Sequence, residues 1–219
     1  MLLHKVAPDG AQVWTKPCDC LSGVGVAVAG GRVFATSAMS RSLLAFQDGP
    51  APDPQASIPY TDPTYAWPLD VAAGPDGLVY AEGGETGTIR VSVATTGVER
   101  RRWLVEGGGA ERITVAPDDG TVFTLLFDGT IAAWSPAGAP LSRWSVDPVP
   151  GASLALPGDL AAGPGGRLYV LDEVSSAIVL YEARDLTTTP TPPPTVEPPC
   201  VATTDKTALP GQVVIGQQA

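Results

Sequence analysis

Asp70-Val71-Ala72-Ala73-Gly74-Pro75-Asp76-Gly77-Leu78-Val79-Tyr80 decides the fold. A short run of small residues meets Gly-Pro-Asp-Gly, where proline pre-sets one turn dihedral and glycine supplies a positive one. An apolar–aromatic pair follows, so the stretch reads as a β-hairpin. The same pattern occurs at Val24–Phe34, with Gly30-Gly31 at the turn, at Ile113–Phe123 around Pro117-Asp118-Asp119-Gly120, and at Asp159–Tyr169 around Gly163-Pro164-Gly165-Gly166. The apolar–aromatic pairs begin at 33, 79, 122 and 168, a period of 43 to 46 residues.

Outward from each hairpin lies a third apolar strand: Leu43–Phe46, Thr88–Val91, Thr130–Trp134 and Ala177–Tyr181. A turn and a fourth strand come next, ending twice in tryptophan, at Trp103 and Trp144. No segment carries a helical period. Four short antiparallel strands per repeat predict an all-β chain, a β-propeller of four-stranded blades. Ala72-Ala73 and Ala161-Ala162 suit innermost strands crowded around a channel, and the bulkier second strands fill the wider gaps between blades. A single blade cannot bury both faces, so the repeats must stack.

Asp70–Gly77 with Val79-Tyr80, and Asp159–Pro164 with Leu168-Tyr169-Val170, resemble the NHL-type repeat, whose members form propellers, commonly of six blades. The resemblance covers roughly residues 1–186 and implies a fold rather than a function. It departs from that family in the third strands, which lack the usual Asn and Arg, and in blade one, which lacks the Asp and Pro of the turn. Residues 2–15 match the third and fourth strands of an earlier blade, which predicts part of a larger ring, with closure of a small ring around Trp14 as the alternative.

Residues 187–199 hold six Pro and five Thr among thirteen positions. This reads as a stiff linker spanning at most about 40 Å as polyproline II. Residues 200–219, with Asp205-Lys206-Thr207-Ala208-Leu209-Pro210, are similar to the opening of the immunoglobulin-like conserved-repeat domains of bacterial surface proteins. That similarity implies an exported multidomain protein and an extracellular or cell-surface location; within this chain the tail is expected to be disordered.

Composition removes several classes of function. The net charge of −10 with only three Lys argues against nucleic acid. The basic run Arg100-Arg101-Arg102 reads as a solvated strand edge. The longest apolar stretch, Val24–Ala29, is too short to span a bilayer, and Met1–Lys5 is too short for a signal-peptide core. Cys18-Asp19-Cys20 is too tight for a zinc knuckle, a bridge between its cysteines is expected to be strained, and Cys200 is left for a partner beyond the linker. The chain has one histidine, His4, and no asparagine. Streptogramin-type lyases and amidating lyases resemble this fold but rely on His, and gluconolactonase-type lactonases hold a metal with Glu, Asp and Asn. No catalytic residue, cofactor site or metal site is therefore expected.

The carboxylates remain. Asp70 and Asp159 start inner strands, and Glu82 and Asp172 end second strands at positions equivalent within a one-residue slip. Either they form a rim that binds a cation or partner, or each ties down a neighbouring loop; repetition favours the loop-tying role. With Tyr65, Trp67, Glu85 and Glu173 they share the face formed by loops that enter inner strands and follow second strands. Acids outnumber bases there, which favours a basic or neutral polar partner. The expected function is a non-catalytic scaffold for binding or display. The alternative is a lactonase- or lyase-like enzyme with its active residues in other blades.

Overall fold

The computed structural model describes residues 2–18, 20, 25–49, 56–59, 67–146, 156–182, 195–196 and 213–216. Apart from a short 3-10 turn at Gly84–Thr86, the regular structure there is all β. Blade one contains β3 (Val26–Ala29), β4 (Arg32–Ser37), β5 (Ser42–Gln47) and β6 (Ala56–Pro59). Blade two contains β7 (Pro68–Ala73), β8 (Leu78–Gly83), β9 (Thr88–Val93) and β10 (Glu99–Leu104). Blade three contains β11 (Ala110–Val115), β12 (Val122–Leu126), β13 (Thr130–Trp134) and β14 (Pro140–Ser145). Blade four contains β15 (Pro157–Gly163), β16 (Arg167–Asp172), β17 (Ala177–Glu182) and β18 (Thr195–Val196). In every blade each strand pairs with the next in sequence, antiparallel throughout, as the repeat predicted for blades one to three; the fourth strand of blade four, β18, comes instead from the stretch read as a Thr/Pro linker.

Ahead of blade one, β1 (Leu2–Val6) and β2 (Gln12–Pro17) form the hairpin expected for residues 2–15, with β19 (Val213–Gly216) on the other edge of β1. Cys18 and Cys20, just after β2, are disulfide-bonded with Cα atoms 5.1 Å apart. The sequence left the pairing of the three cysteines open; the chain's path after β2 brings these two Cα atoms within the ordinary disulfide range. The rest of the tail, with Cys200, lies outside the described residues.

Adjacent blades meet through four apolar clusters. Leu3 and Trp14 pack on Val33, Leu44 and Phe46; Phe34 and Leu43 pack on Val71 and Val79; Tyr80 and Ile89 pack on Ile113, Val122 and Trp134; Phe123 and Leu125 pack on Leu160, Leu168 and Val170. Trp103 bridges Tyr80 and Trp134 at centroid distances of 6.5 and 6.4 Å, and Trp144 bridges Phe123 and Tyr181 at 6.4 and 6.3 Å. Both tryptophans thus fill the gaps between blades. The run Arg100–Arg102 lies on β10, the outermost strand of blade two; Arg102 Nε is 2.6 Å from Glu99 Oε1.

Strand pairing fixes the repeat register. Val28 faces Val33, Ala73 faces Val79, Val115 faces Val122 and Ala162 faces Leu168. Position by position this equates Thr36, Glu82, Leu125 and Leu171, and separately Ser37, Gly83, Leu126 and Asp172. Glu82 and Asp172 are therefore not equivalent. Neighbouring residues on a strand face opposite ways, so Glu82 faces the following blade while Asp172 faces the preceding one. The first set is fully covered in blades one to three, whereas Leu171 in blade four is 40% exposed.

This register predicts an asymmetric pair of substitutions. Leu125→Ala leaves a cavity between blades three and four and costs about 2–5 kcal/mol. Leu171→Ala, at the equivalent but half-open position, costs under about 1 kcal/mol. Urea denaturation of both variants checks this; equal losses would show that the register is wrong.

Candidate functional site

The innermost strands β3, β7, β11 and β15 line a channel of about 380 Å³. Its lining is mainly Gly, Ala, Val, Leu and Ile, with Asp70, Thr114 and Asp159 as the polar side chains. Asp70 and Asp159 both sit near the strand starts, so their carboxylates approach one mouth of the channel.

Asp70 does two things at once. Its Oδ1 accepts the Val71 amide at 2.8 Å, and its Oδ2 accepts the Ile113 amide of the next blade at 3.0 Å. It therefore stitches blade two to blade three, the loop-tying role. Burial raises its pKa to about 6 against the lowering effect of the two amides, Asp159 pushes it further up, and Arg112 pulls it down. The equivalent residue in blade one is Gly25, where a Cβ would run into the Asp70 carboxylate and backbone. Other joints use threonine: Thr36 donates to the Leu69 carbonyl at 3.0 Å, and Thr114 Oγ1 accepts the Ala162 amide at 3.1 Å.

Asp159 repeats half of this arrangement. Its Oδ1 accepts the Leu160 amide at 2.8 Å, but the side chain is 61% exposed. Between the two aspartates, at the equivalent position in blade three, stands Arg112. Its Nε lies 3.8 Å from Asp159 Oδ1, and its Nη1 donates to the Glu111 carbonyl at 2.8 Å. Sequence reasoning missed Arg112 because the turn of blade three is one residue longer, which displaced it from the Asp70 column.

Glu82 is fully buried on β8, and neither carboxylate oxygen has a hydrogen-bond partner of normal geometry. Burial holds its pKa well above the ordinary glutamate value; Asp70 and Glu111 add to the rise, and Arg112 and the Leu69 amide oppose it. It belongs to the joint between blades two and three rather than to an open rim. Asp172 is also fully covered. Its Oδ1 accepts the Leu156 amide at 2.9 Å and the Val174 amide at 3.2 Å, and Ser175 Oγ donates to Oδ2 at 2.5 Å. Burial works to raise its pKa, but the Ser175 hydroxyl and the amides of Leu156, Val174 and Ser175 win and hold it below the ordinary aspartate value. Of the six rim candidates, Asp70 and Asp159 reach the channel mouth, Glu82 and Asp172 are enclosed, and Trp67 is exposed in the loop entering β7; Tyr65 lies outside the described residues, as does the Glu85 side chain.

His4 is on β1, where its Nδ1 lies 2.9 Å from Thr15 Oγ1, and it is not among the residues lining the channel. Among the described residues no group of three or more His, Cys, Asp and Glu side chains is placed to hold a metal ion. No helix among them is long and apolar enough to cross a membrane.

No protein-family model and no curated protein matches the sequence. The fold does match solved propellers. A catalytically inactive virginiamycin B lyase from Staphylococcus aureus, solved with quinupristin, superposes with a TM-score of 0.66 at 12% identity, over 91% of this chain and 63% of that one. The WD40 propeller of Doa1 gives 0.61 at 14% identity, over 81% and 56%. The WD40 repeats of RRP9 give 0.57 at 9%, over 82% and 47%. This chain is a β-propeller. It spans less than two thirds of each of these structures, and they include both an enzyme and WD40 repeat propellers, so they carry the fold alone.

The buried carboxyl of Glu82 has a pH signature. Below about pH 4, near the ordinary glutamate value, the group is protonated folded or unfolded and its titration adds no cost. As pH rises, the unfolded chain releases its proton while the folded chain holds it, so stability falls until the pH passes the raised folded value. Glu82→Gln removes this loss. The gain in melting temperature of the variant over the natural protein should grow from pH 4 upward; a gain independent of pH would contradict the placement of Glu82.

Proposed function

We propose that this chain is a non-catalytic propeller scaffold that binds a basic or polar partner at the channel mouth marked by Asp70 and Asp159. The observation that carries the reading is the charge pattern there. Two carboxylates flank one arginine over a channel whose other side chains are small and mostly apolar. Asp159 is open to solvent, so it remains available to an incoming cation, and the net charge of −10 favours the approach of a basic partner. The alternative, a lyase- or lactonase-like enzyme, would place its active residues in other blades.

The blades are read as NHL-type repeats because of Asp70–Tyr80 and Asp159–Val170. The Thr/Pro linker and the immunoglobulin-like opening at residues 200–219 support a role in display within an exported, multidomain bacterial surface protein.

Fluorescence anisotropy with labelled oligolysine and oligoglutamate decapeptides tests the binding reading. Oligolysine should bind at least tenfold more tightly at low salt, and Asp159→Asn should weaken it about threefold, with a shallower salt dependence. Equal binding of the two peptides, or no effect of Asp159→Asn, would overturn it.

A further inference from the structure

The same end of the molecule carries four exposed apolar side chains on neighbouring segments. Trp67 in the loop entering β7 is 52% exposed, Phe127 in the β12–β13 turn 54%, Leu156 in the loop entering β15 51%, and Val174 in the β16–β17 turn 49%. The antiparallel order of the blades puts all four segments on the face that also holds the starts of the inner strands.

Close contacts link the segments that carry them. A Cβ on Gly84 would stand 3.0 Å from the Trp67 carbonyl, and one on Gly109 would meet the Gly84 carbonyl and stand 2.6 Å from Phe127 Cε2. Both positions need glycine for that close approach. Pro157 then lies beside Gly129 in the Phe127 turn. Asp172 next ties the last two together: one carboxylate oxygen accepts the amides of Leu156 and Val174, and the Glu173 amide donates to the Leu156 carbonyl at 2.9 Å. A buried charged group is thus used to hold two apolar side chains at the surface. Trp67 is itself held at φ +54°, just before Pro68. A bulky residue in that region costs local free energy, a feature that gathers at binding sites.

The geometry points to a strip over blades two to four, running from Trp67 through Phe127 and Leu156 to Val174, that docks an extended segment of a partner protein, apolar along one edge and carrying a basic side chain toward Asp159 at the channel mouth. This deepens the reading of the mouth as a binding site and rests on it. Contiguous exposed apolar surface marks an interaction site, and an aromatic anchor supplies much of the affinity at such surfaces. The acidic mouth fixes the sign of the partner's charge.

The test uses two labelled decapeptides in anisotropy titrations with the full chain. One has a central Arg flanked by alternating Leu and Ser, and in the other every Leu is Ser. The leucine peptide should bind at least tenfold more tightly. Trp67→Ala with Phe127→Ala should erase that advantage while leaving the melting temperature within about two degrees, because both side chains face solvent. Val174→Lys should weaken the leucine peptide by charge repulsion without removing an aromatic group, and serves as the second variant if the double one is unstable. Equal binding of the two peptides, with both weakened by Asp159→Asn, would overturn the strip and leave the mouth. Binding of neither would overturn both. Leucine-peptide binding untouched by the strip variants would overturn the strip, and strip-dependent binding to phosphatidylcholine vesicles instead of the peptides would replace it with a lipid surface.

Discussion

The contact between one blade and the next governs the rest of this structure. Each second strand alternates, sending Val33, Val79, Val122 and Leu168 back onto the preceding blade and Phe34, Tyr80 and Phe123 onto the following one. A four-stranded sheet alone would leave both of these faces wet. Stacking buries both, and each joint between four-stranded blades is reinforced by a polar stitch near the axis, such as the Ile113 amide donating to Asp70. The inner strands are thereby held around a channel, with their starts on one face.

The repeat was legible in the sequence because its signals are local. Gly-Pro-Asp-Gly states a turn, Val-Tyr and Val-Phe state a strand, and their recurrence states an array. Trp103 and Trp144 were readable as the ends of fourth strands for the same reason. Register was harder. The turn of blade three is one residue longer than that of blade two, and period-two alternation converts a one-residue error into the opposite face. The longer turn hid Arg112 in the Asp70 column, and a one-residue slip allowed between blades two and four, whose turns are equally long, equated Glu82 with Asp172.

The site was legible only in part. Asp70 and Asp159 could be placed at the mouth from the repeat alone. Burial could not, since it depends on how closely neighbouring blades approach: Glu82 and Asp172, carried as rim candidates beside the favoured loop-tying role, are enclosed. The disulfide between Cys18 and Cys20 likewise follows from the path of the chain after β2. The apolar strip escaped notice because Phe127, Leu156 and Val174 are separated in sequence and come together only when successive turns line up on one face. Asp172 shows how the two roles connect: its work is internal, and its consequence is the placement of Leu156 and Val174 outside.

The central claim is that one face of the stacked blades, and not the other, receives a partner. Amide hydrogen exchange of the full chain, with and without the leucine–arginine peptide, tests it most directly. The account predicts new protection in 105–112, 127–129, 156–159 and 173–176, which share that face. Protection confined to the opposite turns, 74–77, 116–121 and 163–166, would contradict it.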